Sequence, residues 1–277
     1  MMKIGIFAKT FQGNEPTSIL REIRRTGYSC TQYNMVCSGL ESMPRNLEEH
    51  FVTAVAKESS KFEISISAVS GTYNMIHPDI NKRQQGHKRL RTLASKCSFM
   101  GTNLITICTG TRDPCDQWKK HSENSMPDAW ADLTASLEIA IGIAEENNVF
   151  IGIEPEAANV VENAVSAKKI LNEMKSDRLK IVFDPANLIE ETVPEKQHDV
   201  ISSSLELLAA DIIICHAKDK KINGKVTAAG QGILDYEFFV SELKRLNLNV
   251  PLIAHGLPAS EAIRVSSFLK NLLGSAS

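Results

Sequence analysis

Short, unbroken apolar runs rich in β-branched residues recur along the chain, and each is bounded by polar or glycine-containing segments. They cover residues 4–7, 29–33, 64–69, 104–108, 149–153, 180–183, 212–215 and 251–254. Continuous apolar character, rather than strict alternation, is what a strand buried on both faces needs. Between the runs the hydrophobic period lengthens to that of a helix. Over 127–147, Trp130, Leu133, Leu137, Ala140, Ile141 and Ala144 share one face. Ser125 is placed to cap this helix, Pro127 suits its first turn, and Asp128 completes a capping-box pattern. Further helical faces carry Leu90, Leu93, Cys97 and Met100; Ile170, Leu171 and Met174; Phe239, Val240 and Leu243; and Ile263, Phe268 and Leu272. Strand followed by helix, eight times over, predicts a single closed (β/α)8 barrel spanning 1–277. An open doubly wound sheet is the competing architecture, but no Gly-x-Gly-x-x-Gly follows the first run.

Composition narrows the function classes. The 277 residues suit one barrel and are few for two independent domains. Thirty-one basic residues against 33 acidic ones leave a formal charge of -2, which argues against a surface built to hold nucleic-acid phosphates. The six cysteines include no Cys-x-x-Cys pair and do not read as a disulfide framework. No stretch approaches the roughly 18 apolar residues of a membrane span. The N-terminal Met1-Met2-Lys3-Ile4-Gly5-Ile6-Phe7 reads as a first strand rather than a signal peptide. The expectation is a soluble, cytoplasmic protein without membrane or nucleic-acid partners.

In such barrels the chemistry sits where the strands end. The fifth run ends in Glu154-Pro155-Glu156, the sixth in Asp184-Pro185-Ala186-Asn187, the seventh in His216-Ala217-Lys218-Asp219 and the eighth in His255-Gly256. Two carboxylates with one or two imidazoles on one rim suit a divalent ion such as Mn, Co, Zn or Fe(II) better than Mg or Ca. The candidate ligands are therefore Glu154, Asp184, His216 and His255. Plainer roles compete with each: Glu154 can pair with Lys218, Asp184 can cap the helix after it, His216 can be a satisfied core histidine, and His255-Gly256 can be a turn.

At these residues the chain resembles the xylose isomerase-like barrels, the sugar phosphate isomerase/epimerase superfamily. Glu154-Pro155, Asp184-Pro185-Ala186-Asn187 and His216-Ala217-Lys218-Asp219 look like that superfamily's first three metal ligands. Ser70-Gly71-Thr72-Tyr73-Asn74, Thr109-Gly110-Thr111-Arg112-Asp113 with Trp118, and Gly230-Gln231-Gly232 followed by Asp235 add to the likeness, which covers nearly the whole chain. It implies one divalent metal that polarises the carbonyl of an open-chain sugar, and proton abstraction from the neighbouring carbon to give a cis-enediol. Two glutamates usually serve that chemistry as ligands and acid/base pair. Glu154 matches the first, whereas His255 stands where the second would be. An imidazole there raises the net charge of the site by about one and changes its acid/base character. Asn187 replaces a histidine of many relatives, and no arginine follows the seventh-strand motif.

The catalytic candidates are thus Glu154, His255 and Lys218. Substrate contacts are expected from His77, Thr109, Arg112, Trp118, Glu156 and Asn187, with His121 a further residue of the long loop after the fourth strand. Trp118 can stack on a sugar face, and Arg112 can hold a phosphate or carboxylate or simply form a surface ion pair. The leading function is a metal-dependent isomerase or epimerase of a small sugar or keto-polyol. A metal-dependent dehydratase or lyase on a polyol or hydroxy acid shares the first half of that mechanism. A non-catalytic sugar-binding barrel is the alternative outside catalysis. An abasic-site endonuclease, which shares the barrel, lacks its further histidines here. A small carbohydrate is the expected partner, with homo-oligomerisation possible in this fold.

Overall fold

The computed structural model describes residues 2–189 and 194–274. Strands β1 (Ile4–Phe7), β2 (Cys30–Tyr33), β3 (Ser65–Ser70), β4 (Leu104–Cys108), β5 (Phe150–Glu154), β6 (Leu179–Phe183), β7 (Ile212–Lys220) and β9 (Leu252–Ala254) run parallel. Each pairs with its neighbours in that order, β9 pairs back onto β1, and the β6–β7 pairing completes the ring. The expected eight-stranded barrel is therefore present. A ninth strand, β8 (Val226–Ala228), lies outside the ring and pairs antiparallel with the end of β7, Lys218 opposite Ala228.

Two layers make the core. Inside the ring, Cys30, Ala68, Leu104, Val182, Ile214 and Ile253 fill the floor of the barrel. Outside it, the opposite strand faces pack on helices α1 (Pro16–Arg25), α2 (Glu49–Lys61), α3 (Ile80–Ala94), α4 (Pro127–Asn147), α5 (Ala164–Met174), α7 (Gln197–Leu208), α8 (Tyr236–Arg245) and α9 (Ala262–Gly274). A one-turn helix, α6 (Pro185–Leu188), follows β6 directly. Among the described residues no helix is long and apolar enough to cross a membrane, and all six cysteines are free.

Three local expectations change. Helix α4 has the predicted bounds, but Ser125 does not cap it: Ser125 belongs to a preceding 3-10 turn, where its Oγ donates to Ser122 O at 3.1 Å. Met126 occupies the cap position without a side-chain bond. In α9 the inward face is Ala262, Val265 and Leu269, while Ile263 points to solvent. Strand β7 extends five residues beyond its apolar run, because β8 supplies the ladder partners that Lys218–Lys220 need. That extension shapes the site. Residues two apart on a strand share a face, so His216 and Lys218 both point into the mouth of the barrel.

Candidate active site

Glu154 is the last residue of β5, Asp184 follows β6, and His216 lies on β7. One donor atom from each falls within 4.8 Å of the others, and all three side chains are buried. His216 Nδ1 stands 3.2 Å from Glu154 Oε1 and 3.9 Å from Asp184 Oδ2. Asp184 divides its work. Its Oδ1 accepts from Ala186 N at 3.0 Å, which caps α6. Its Oδ2 is buried and receives no aligned hydrogen bond, although Lys218 Nζ lies 3.0 Å from it. Two buried carboxylates and an imidazole nitrogen converging within 4.8 Å, with the Lys218 ammonium as the other partner of Asp184 Oδ2, are a donor set that fits a divalent cation of the Zn, Mn, Co or Fe(II) kind. Asn187 steadies the group: its Nδ2 donates to Glu154 Oε1 at 2.9 Å and to Pro155 O at 3.2 Å, and its Oδ1 accepts from Lys218 Nζ.

The charges here are strongly coupled. Burial works against ionising Glu154, but His216 and Lys218 outweigh it and hold the carboxyl down at about 2. Burial also opposes the Lys218 ammonium, yet Asp184 and Glu154 keep its pKa above the ordinary lysine value. His216 follows the same logic: desolvation lowers it, and Glu154 and Asp184 more than restore it, so its pKa rises. Glu156 has no such compensation. Burial and then the charge of Glu154 push its carboxyl up to about 7, with Lys218 opposing and Asp184 adding to the rise. His255 is driven to about 3 by burial and by the neighbouring His216 and Lys218, so it is a neutral imidazole at physiological pH.

These groups open onto a cavity of about 710 Å³ at the carboxyl ends of the strands, the usual place for chemistry in this fold. Glu154, Glu156, Lys218 and His255 line it, together with Gln32 and Trp118. His255 stacks on Phe7, with ring centroids 4.5 Å apart, and meets His216 edge-on at 5.4 Å. It stands beside the Glu154–Asp184–His216 cluster and is not one of its three members. Trp118 reaches the cavity from the loop after β4, which is pinned by Asn124: Oδ1 accepts from Arg112 N at 2.8 Å, and Nδ2 donates to Ala158 O at 2.9 Å.

Other residues expected at the site lie elsewhere. Arg112 is drawn away from the cavity, with Nη1 2.6 Å from Asp132 and donating to Ile76 O, and Nη2 3.4 Å from Asp128. A guanidinium so engaged and only 8% exposed is a strut between the loop and α4 rather than an anion receptor. Thr109 is fully buried behind the wall, its Oγ1 accepting from Val161 N at 3.1 Å. His77 lines an adjoining groove of about 340 Å³ instead, bonded to Asp79 N through Nδ1 and to Pro114 O through Nε2. His121 is spent on its own turn, accepting from Glu123 N.

The residue that sequence reasoning missed is Gln32. It lies within β2, and its Oε1 is 3.0 Å from His216 Nε2. A glutamine inside a run expected to be buried on both faces was the available signal.

The sequence profile described as a xylose isomerase-like TIM barrel matches residues 20–271. No curated protein matches the chain. Among solved structures, 3-keto-D-glucoside 4-epimerase from E. coli superposes with a TM-score of 0.79 at 15% identity, covering 98% of this chain and all of that one. An L-ribulose 3-epimerase gives 0.78 at 15% identity, with 100% of this chain and 96% of that one covered. A probable 3-DHS dehydratase from Bacillus anthracis gives 0.77 at 14% identity, with 98% of each chain covered. At these identities the likeness is one of fold.

Proposed function

Because the chain belongs to the xylose isomerase-like TIM barrel family, we propose that it is a metal-dependent isomerase or epimerase of a small sugar or keto-polyol. The observation that carries the reading is the buried Glu154–Asp184–His216 cluster, whose donor atoms converge within 4.8 Å at the carboxyl ends of the strands beside the cavity. The epimerases that share the fold lend their reaction class to the proposal.

Glu154, Asp184 and His216 would hold a divalent ion, and we assign His255 as the fourth donor, since a neutral imidazole has the free lone pair that ligation needs. A divalent ion bound there supplies Lewis acidity, polarising a substrate carbonyl so that the hydrogen on the next carbon becomes acidic. Glu156 is suited to take that proton. Its carboxyl lines the cavity next to Glu154, whereas a ligating His255 would have no lone pair left to act as a base. Returned to the neighbouring carbonyl carbon, the proton gives the isomer; epimerisation would instead need a second proton donor on the opposite face of the same carbon. Lys218, a buried ammonium, offsets the negative charge that grows on the substrate oxygen. Trp118, half exposed at the mouth, offers an aromatic face to the sugar's C–H side.

The test is solvent-hydrogen exchange. A panel of ketoses in D2O with Mn(II) or Co(II) should gain deuterium next to the carbonyl, and Glu156→Gln should slow this by about 10²–10⁴-fold, the usual contribution of a positioned base. No exchange with any ketose, for a protein shown to bind metal, contradicts the reading. A second reading is elimination, a dehydratase or lyase on a polyol or hydroxy acid. The imidazole at position 255 favours it, since it stands in place of the second glutamate that usually completes the acid/base pair of an epimerase. A dehydratase shares the fold. Elimination would announce itself by an ultraviolet-absorbing enone or enol product.

A further inference from the structure

A neutral imidazole carries its proton on one nitrogen and a lone pair on the other, and hydrogen bonding decides which is which. In His216 the nitrogen turned toward Glu154 and Asp184 is Nδ1. For Nδ1 to donate to a cation, the ring proton must sit on Nε2. That atom lies inside the barrel on a side chain with no exposed surface, where an N–H without an acceptor would be strongly disfavoured. Gln32 Oε1, at 3.0 Å, is what meets it. Phe7 and His255 flank the ring edge-on at 5.5 and 5.4 Å, contacts that leave its proton placement to Gln32 at Nε2 and Glu154, 3.2 Å from Nδ1.

Gln32 is itself held in place. It is 2% exposed, and its Nε2 donates to Thr106 Oγ1 at 2.8 Å and Ser70 Oγ at 3.2 Å. With nitrogen toward those two hydroxyls, the amide presents oxygen to His216. A line of hydrogen bonds thus runs from β4 and β3 through β2 to β7, across the interior of the ring. Turned end for end, the amide would donate to Nε2 and place the ring proton on Nδ1, where it would hydrogen-bond Glu154 and leave no lone pair for a cation.

We infer that Gln32 is a positioning residue of the metal centre: by accepting the Nε2 proton it fixes His216 in the tautomer whose Nδ1 faces Glu154 and Asp184 as a ligand. The inference rests on the proposed reading of these three residues as ligands. Hydrogen-bond partners of ligating histidines are typically worth about 10–100-fold in metal affinity, and that is the size of effect expected.

The test uses the full chain, with Zn(II) as a diamagnetic probe. Dissociation constants are measured by chelator competition for wild type, Gln32→Met and Gln32→Glu, and ring-nitrogen ¹⁵N–¹H correlations are recorded on the zinc-loaded proteins. Methionine keeps the volume and removes the acceptor, so zinc binding should weaken by about 10–100-fold, with circular dichroism confirming the fold. Glutamate keeps an acceptor oxygen, so Gln32→Glu should recover most of that loss and retain the Nε2–H signature of His216. Wild-type affinity in Gln32→Met, a ring proton on Nδ1 in the zinc-loaded wild type, or equal losses in both variants would overturn the inference. Failure of the wild-type protein to bind Zn(II), Mn(II) or Co(II) would overturn the ligand assignment first and this inference with it, whereas tight wild-type binding with an indifferent Gln32→Met would overturn this inference alone.

Discussion

Replacing Glu156 by glutamine should stabilise the protein, and increasingly so as the pH rises. Burial and the charge of Glu154 raise this carboxyl from 4.5 to about 7, against the smaller opposing pull of Lys218. A carboxyl with a higher pKa in the folded than in the unfolded chain holds its proton better when folded. Its contribution is fully present below about 4.5 and is lost as the pH climbs through about 7. With 1.36 kcal/mol per pH unit, the ionised group costs the folded state about 1 kcal/mol at pH 5 and about 3 kcal/mol at pH 8. Glutamine fills the same space without a charge to desolvate, and any packing difference it introduces does not depend on pH. The quantity to follow is therefore the difference in unfolding free energy between variant and wild type. It should shift in the variant's favour by about 2–3 kcal/mol between pH 5 and pH 8. Urea unfolding in the presence of a chelator measures it, with equal m-values confirming that both proteins expose the same surface. A difference that stays flat across that range would refute the assignment of Glu156 as the near-neutral carboxyl.

Glu154→Gln and Asp184→Asn should each weaken divalent-metal binding by more than about 100-fold and abolish deuterium incorporation, both being direct ligands in the proposed site; calorimetric titration checks the first effect and mass spectrometry the second. Arg112→Met leaves Asp132 with Arg83 as its remaining ion-pair partner and should cost about 1–3 kcal/mol in thermal unfolding. It should leave the exchange rate of the folded enzyme unchanged, because Arg112 points away from the cavity. Gly232→Ala would drive a methyl group into the Asp219 carboxylate and the Lys220 carbonyl, where Asp219 now accepts from Gly232 N at 2.9 Å and Gly230 N at 3.1 Å. Overpacking of this kind costs about 1–3 kcal/mol, visible as a lowered melting temperature.

Where burial alone dictates structure, the apolar pattern was enough. Strands enclosed on both faces left continuous apolar runs, and reading the residue after each run picked out Glu154, Asp184 and His216, whose donor atoms the fold brings within 4.8 Å. Where a partner distant in sequence decides the matter, the pattern was silent. Nothing in Lys218-Asp219-Lys220 announces a strand; Val226–Ala228 makes it one by pairing with it. Arg112 has the chemistry of an anion receptor, and only the packing of α4 against the loop reveals that Asp132 and Asp128 already claim it. Thr109 sits at a strand end like the other candidates, but its hydroxyl turns outward to hold Val161 N. Gln32 went unread for the opposite reason. It lies inside a strand rather than at its end, so its importance depends on a histidine 184 positions away.

The central claim is that the three strand-end side chains form a metal site, and elemental analysis of the protein purified without added metal tests it most directly, with Asp184→Asn as the comparison. About one equivalent of a divalent transition metal is expected per wild-type chain and almost none in the variant. A wild-type protein that stays metal-free even after Mn(II), Co(II) and Zn(II) are offered, or a variant that binds as much metal as wild type, would contradict it.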